Sequence, residues 1–592
     1  MANLGKTAQK SLKYLVRTGP RETARRAALH FGRKRAERHF VARMTPAPEE
    51  LALQRKTEFK KEILFSVAVP LYNTPEDLLR EMIDSVIAQS FENWELCLAD
   101  GSDAEHAVVG EICRELAARE PRIRYLKLTE NRGISENTNA ALEMARGDYI
   151  ALLDHDDLLM PNALYEVRAA VDKTGADFLY SDELIFQSPR IDRVIGIRFK
   201  PSFSPDSLLT NNYICHLAVF SRELLEKAGR FDRRFDGSQD HDLVLRLTHR
   251  ARGIAHIAKV LYLWRSIPSS VASDIYSKSY AIEAGRSAVE RFLREEKKTE
   301  ASVESTDVFP TMYRVRYLFE EEPTVRVILD ARKEKPDWRN RLDALRCSAG
   351  LKECAWTVIG AENGDGFTGL LPRAGERRSE IWARAAAESA EEYLLFADGV
   401  PGAASDGWLR EMLGHARQDH VGAVGPKICF QNGFVRHAGV LIGTGPEALA
   451  GRAYFMEDED NVGYFGQLAV VENVSAVTDC LLISRRKYEE AGGFSPAYGD
   501  SLFDVDLCLR LLEKGYYNVF TPHAAMKMGR TGDAPVDVGR ETGDYARDAE
   551  TFRKRNAKIL RGVDPCFNAN LDPGHMDWRI RDVSDGDGKA NR

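Results

Sequence analysis

A chain of 592 residues exceeds what one hydrophobic core usually serves, so two or more domains are expected. A hydrophobic fraction of 44% and a charged fraction of 29% are ordinary for a soluble globular protein, and no apolar run reaches the roughly 18 residues a spanning helix needs. The net charge of −7 hides an asymmetry: residues 1–45 carry twelve Lys and Arg against Glu22 and Glu37, a net +10 that leaves −17 on the rest.

A basic head on an acidic body points to an anionic surface as partner, and no nucleic acid is expected. Pro20 suits the first turn of a helix over residues 20–43. Ala24, Ala27, Ala28 and Phe31 give it one apolar stripe among cationic faces. Such a helix either lies on an anionic bilayer or packs on the next domain. The N-terminus lacks the apolar core of a signal peptide. The nine cysteines are odd in number and scattered, without close metal-type pairs. A cytoplasmic protein fits this, with the head able to reach the inner face of the membrane.

From Leu64 the pattern changes to buried-type strands alternating with helices. Leu64–Pro70, Trp94–Asp100, Ile123–Leu126 and Tyr149–Leu153 read as strands, and residues 136–145 as a helix. The alternation predicts a mostly parallel sheet covered on both faces, with ligands beyond the strands' carboxyl ends. The polar residues sit at those ends: Tyr72-Asn73, Asp100, Asn131-Arg132-Gly133 and Asp154-His155-Asp156-Asp157. A second run starts at Val325 and passes through Trp356–Ile359 and Tyr393–Phe396. Both halves carry Asp-x-Asp-Leu-x-x-Arg, at Asp240–Arg246 and Asp504–Arg510, which predicts a duplicated domain. The expected divisions are a basic helical head (1–60), a first α/β domain (61–295), a linker (296–322), a second domain (323–560) and a tail (561–592).

Asp154, Asp156 and Asp157 repel one another unless a cation intervenes, and a hard divalent ion suits oxygen donors. A helix cap would need only one Asp. Asp240, at a helix start, is placed to take a proton from an incoming hydroxyl, or else to cap the helix and pair with Arg246. Tyr72 offers a ring for a base, and Arg132 a guanidinium for phosphate.

In combination, Val69-Pro70-Leu71-Tyr72-Asn73, Ala99-Asp100-Gly101-Ser102, Asn131-Arg132-Gly133, Leu153-Asp154-His155-Asp156-Asp157 and Gly237-Ser238-Gln239-Asp240-His241-Asp242-Leu243 resemble the family 2 glycosyltransferases of the GT-A fold. Tyr180-Ser181-Asp182-Glu183 and Asn211-Asn212-Tyr213-Ile214 resemble the bacterial branch that builds O-antigen and other surface polysaccharides, rhamnose-containing ones included. The resemblance spans about residues 62–290. It implies a nucleotide-diphospho-sugar donor and a glycan or lipid-linked glycan acceptor. Pro70, Tyr72, Asp100 and Arg132 would bind the nucleotide. Asp154 and Asp156 would be the DxD pair holding Mg²⁺ or Mn²⁺. Asp240 would be the base of an inverting single displacement, and Asp182, Asp242, Trp264 and Arg265 would shape the acceptor or phosphate side.

The chain departs from that pattern twice. It has Asp100 alone where relatives carry two adjacent Asp. It has Leu263 where they carry a His suited to the metal, leaving His241 or His256 as substitutes. The second half also resembles a GT-A domain, through Asp479, Gly492-Gly493-Phe494 and Asp504–Arg510. It lacks the Tyr-Asn pair and the Arg-Gly turn, and its acidic turn holds only Asp398, so a weakened second site is expected. A nucleotidyltransferase is disfavoured, because residues 70–77 contain no Gly, Lys or Arg for a phosphate loop. A non-catalytic glycan-binding or assembly protein is the alternative.

Overall fold

The computed structural model describes Gly32, residues 34–266, 279–334, 338–530, Gly532, 534–576 and 578–581. Among them, the first half is built on a nine-stranded mixed sheet. Its strands are β1 (Phe65–Leu71), β2 (Trp94–Asp100), β3 (Ile123–Lys127), β4 (Tyr149–Leu152), β5 (Leu158–Leu159), β6 (Phe178–Gln187), β7 (Val194–Arg198), β8 (Ala218–Ser221) and β9 (Ile254–Ser266). They lie in the order β3-β2-β1-β4-β8-β6-β9-β5, with β7 on β6. β1 to β4 are mutually parallel, so their carboxyl ends form one rim.

All seven residues of β1 are buried because both faces of the sheet are covered. Phe65, Val67, Val69 and Leu71 enter one core with Leu79, Met82 and Ile83 of the helix Glu76–Ile87. Ala68 and Ala99 enter the opposite core with Ala141 of the helix Ile134–Met144. Glu95 within β2 is buried but satisfied by the Ser66 hydroxyl at 2.6 Å and the Arg146 amide at 2.5 Å.

The second half carries a ten-stranded sheet. Its main path runs Thr368–Leu370, Ala355–Ile359, Val325–Asp330, Tyr393–Ala397, Cys480–Ser484, Val421–Cys429, Tyr517–Lys527 and Ala403–Ala404. Taken in chain order, these strands occupy the same places as those of the first sheet. The two Asp-x-Asp-Leu-x-x-Arg segments also do the same work. Arg246 holds Asp242 and the carbonyls of Ala228 and Arg230. Arg510 holds Asp506 and the carbonyls of Ala491 and Gly493.

Two segments differ from the sequence reading, and a third is seen only in part. The stretch expected as a linker contains an antiparallel hairpin, Ala301–Ser305 with Tyr313–Tyr317. Its Val303, Tyr313, Val315 and Tyr317 alternate into the first half's core. The segment expected as a tail folds back, burying Asn568 against the first sheet. The basic helix is described at Gly32 and over residues 34–44, and the remainder of its predicted span lies outside the described residues. Ala36, Phe40, Val41 and Met44 pack on a core shared by the two halves, with Phe40 edge-on to Phe199 at 5.1 Å. Lys34, Arg35, Arg38 and Arg43 remain exposed. Among the described residues no helix is long and apolar enough to cross a membrane.

Candidate active site

The rim formed by β1 to β4 bears a cleft of about 500 Å³ lined by Tyr72, Asp100, Ser102, Lys127 and Asn131, among others. Tyr72 is 45% exposed at its mouth. Pro70 is a buried strand residue paired with Ala99, so it sets the course of β1 and does not face the cleft. Asp100 is fully buried. It accepts from the Ser102 amide at 2.8 Å, the Tyr125 hydroxyl at 2.7 Å and Lys127 Nζ at 3.2 Å. Arg132 is exposed and pairs with Glu130 at 3.1 Å, outside the cleft lining.

After β4 the chain turns through the acidic segment. Its three carboxylates are not equivalent. Asp157 is 1% exposed and accepts from the Tyr262 hydroxyl and the Arg265 amide, each at 2.6 Å. Burial, reinforced by the Asp154 and Asp156 charges, holds its carboxyl well above the usual range. It is the anchor of the turn. Asp154 keeps an accessible side chain, and loss of hydration together with the nearby Asp156 charge raises its carboxyl, against the pull of His216. Arg265, buried to 1%, clamps this turn by donating to the Asp156 carbonyl at 2.6 Å and to Glu81 at 2.6 Å. Its predicted acceptor or phosphate role therefore becomes a supporting one.

The histidine beside the carboxylates is His216. Its Nε2 lies 3.7 Å from Asp154 Oδ2, and Asp154, Asp157 and His216 bring potential donor atoms within 4.8 Å of one another. The imidazole is stacked on Tyr262 at 4.5 Å and meets Trp264 edge-on at 5.5 Å. Neither histidine named from the sequence is there. His241 bonds the Leu208 carbonyl at 2.7 Å, and His256 bonds Asp182 at 2.8 Å. Leu263 pairs with Leu158 and packs in the core shared by the two halves. The sequence signal for His216 was the Asn211-Asn212-Tyr213-Ile214 segment, which stops two residues short of it.

Asp240 lies in the first turn of the helix Gln239–Arg250 and accepts from Asn212 Nδ2 at 2.7 Å. One loop, 211–217, thus meets Asp240 through Asn212 and Asp154 through His216. Two other expected acceptor-side residues do not belong to the site. Asp242 is 1% exposed and is held by Arg246 and Arg291. Asp182 is fully buried among Lys200, His256 and Asn568. A carboxylate so enclosed has no face for an acceptor.

The corresponding place in the second half leaves a space of only about 10 Å³. Asp398 accepts from Arg378 at 2.8 Å, and Asp479 from Arg436 at 2.8 Å with Arg452 at 3.5 Å. Burial acts against ionisation of Asp479, but the arginines outweigh it and hold the carboxyl well below its usual value. The chain's own guanidinium groups neutralise the acids there.

The family model described as Glycosyl transferase family 2 matches residues 66–229, which include Tyr72, Asp100, Arg132, Asp154, Asp156 and His216. The Bacillus subtilis protein named "Putative glycosyltransferase EpsE" is 30% identical over 37% of this chain and 78% of its own length. The chain belongs to glycosyl transferase family 2. Two longer relatives extend the match beyond the family segment into the second half. Protein y4gI of Sinorhizobium fredii is 37% identical over 86% of this chain and 57% of its own length. The O-antigen biosynthesis protein RfbC of Myxococcus xanthus is 32% identical over 91% of this chain and 42% of its own. This family 2 chain therefore spans about half the length of these relatives.

Proposed function

We propose that this chain transfers a sugar from a nucleotide-diphosphate donor to a growing surface glycan, free or lipid-linked, at the first half's rim. The observation that carries this is the 211–217 loop, which ties the proton acceptor Asp240 to the acidic turn beside the Tyr72 cleft. The family membership, and a relative named for O-antigen biosynthesis, support the reaction class and the glycan.

In this reading Tyr72 stacks on the base, and Arg132 turns from Glu130 to the diphosphate. Asp240 takes the proton of the acceptor hydroxyl. The freed oxygen bonds to the anomeric carbon while the bond to the diphosphate oxygen breaks on the opposite face, which inverts the centre. Asn212 holds the Asp240 carboxylate in place for this. Asp154, Asp156 and His216 are the residues to hold a divalent cation, Mg²⁺ or Mn²⁺. Two carboxylates and an imidazole suit such an ion, whereas Asp157 is already engaged. A bound cation would supply charge neutralisation for the departing diphosphate. Trp264 borders the acceptor side.

The two halves are read as GT-A-like domains in tandem, the second without a donor site, and the basic head as the contact with an anionic membrane. The test is a panel of sugar nucleotides offered with Mn²⁺ to the purified chain. Turnover of one donor supports the reading. Glycan binding without turnover of any donor would favour a non-catalytic assembly protein.

A further inference from the structure

The 211–217 loop is held from beneath by a buried polar chain that begins in the C-terminal segment. Asn568, 4% exposed, donates from Nδ2 to Asp182 Oδ1 at 3.0 Å, to Asp182 Oδ2 at 2.9 Å and to the Lys200 carbonyl at 2.9 Å. Asp182 in turn accepts the Lys200 amide at 2.9 Å. Lys200, 1% exposed, reaches up with Nζ to Glu183 at 3.0 Å, to the Ile214 carbonyl at 2.6 Å and to the His216 carbonyl. Glu183 also accepts the His216 amide at 3.3 Å. Asn570 orients Asn568 through a 3.0 Å bond and ties the segment to the Ala258 carbonyl at 3.0 Å.

Asn568, Asp182, Lys200 and Glu183 are all buried, and each is hydrogen-bonded within this chain. In a low-dielectric interior such bonds have few alternatives, so the loop's position is tightly specified. We propose that Asn568 is a positioning residue for the first half's active site. Acting through Asp182 and Lys200, it fixes the loop that presents Asn212 to Asp240 and His216 to Asp154. The residues C-terminal to the second sheet then serve the reaction of the first. This rests on the transferase reading above.

The experiment compares wild type with Asn568→Ala and uses Tyr464→Phe as control. The control removes the Phe199–Tyr464 and Ile197–Tyr464 bonds between the halves but none of the bonds made by Asn568, Asp182 or the Lys200 side chain. Cys215 lies in the loop, partly covered and 3.8 Å from Asp240. Its alkylation rate, read by peptide mass spectrometry, separates it from Cys566. For a loosened loop, Asn568→Ala should react faster at Cys215. Its kcat should fall on the order of 10- to 10²-fold, with donor KM near wild type, because the Tyr72 cleft is untouched. Unchanged Cys215 reactivity and kcat in a folded Asn568→Ala, or equal changes in the control, would overturn the proposal. If Asn568→Ala does not fold, Asn570→Ala gives the same two readouts, and its silence overturns the proposal equally. Faster Cys215 alkylation in a protein that turns over no donor would keep the anchor and sink the transferase reading.

Discussion

His216 Nε2 lies 3.7 Å from Asp154 Oδ2, and stacking on Tyr262 prevents the imidazole from turning away. A carboxylate and an imidazole are donor types that suit a divalent cation, the occupant proposed above.

Transfer should therefore require a divalent metal. Excess chelator is expected to abolish it, as is Asp156→Ala. His216→Ala should weaken Mn²⁺ binding by at least about tenfold, roughly 1.4 kcal/mol, as read by titration calorimetry. Full activity in excess chelator would remove the metal from the mechanism.

Asp240 and Asp242 stand two residues apart and should fail in opposite ways. Asp240→Asn is expected to keep donor binding and lose about 10²–10⁴-fold in turnover, because a general base is gone. Asp242→Asn leaves Arg246 in the interior without its countercharge and leaves Arg291 only the more distant Asp232, at 3.8 Å. Breaking such a pair costs about 3–5 kcal/mol, which a thermal melt will show. Near wild-type turnover in Asp240→Asn would make Asp240 a helix cap.

Asp504→Asn should leave most transfer intact. Asp504 is bonded to Thr478 at 2.6 Å, burial pushes its carboxyl up to about 6, and the adjoining space is closed by arginines. Product analysis with the natural acceptor decides the matter. Loss of one specific linkage would reveal a second catalytic centre.

Glu472 joins the halves through Ser207 at 2.7 Å, and burial pushes its carboxyl from an ordinary 4.5 up to about 8. Between those values the folded chain keeps a proton that the unfolded chain has lost. Stability should therefore fall as pH rises through that window. Melting temperatures of wild type and Glu472→Gln, measured from pH 5 to 9, should diverge in favour of the variant at the alkaline end. Parallel curves would show that Glu472 is ionised throughout.

The described part of the basic helix spends its apolar side on the protein and leaves its charges outward. Membrane contact should then be electrostatic and salt-sensitive, at about 1 kcal/mol for each basic residue near the surface. Replacing Lys34, Arg35, Arg38 and Arg43 by Glu should reduce co-sedimentation with anionic vesicles without changing the melting temperature. Equal sedimentation would discard this contact.

The alternation of strands and helices at the start of each half was legible because strand and helix periods are local properties of the chain. So were Tyr72 and Asp154, since polar residues at the ends of apolar runs mark the rim of a parallel sheet. The hairpin at 301–317 was missed, because the charges around it disguised the alternation of Tyr313, Val315 and Tyr317 as a linker. What sequence spacing leaves open is which of several like residues turns inward. Asp242 and Asp240 lie in one helical turn, yet only the packing of Arg246 and Arg291 shows that Asp242 is structural. Asp157 and Asp156 are neighbours, yet Tyr262, far along the chain, captures only the former. His216 reached Asp154, and Asn568 reached Asp182, through contacts between distant segments. Such contacts arise when sheets stack and buried polar groups must find partners, and no local period encodes them.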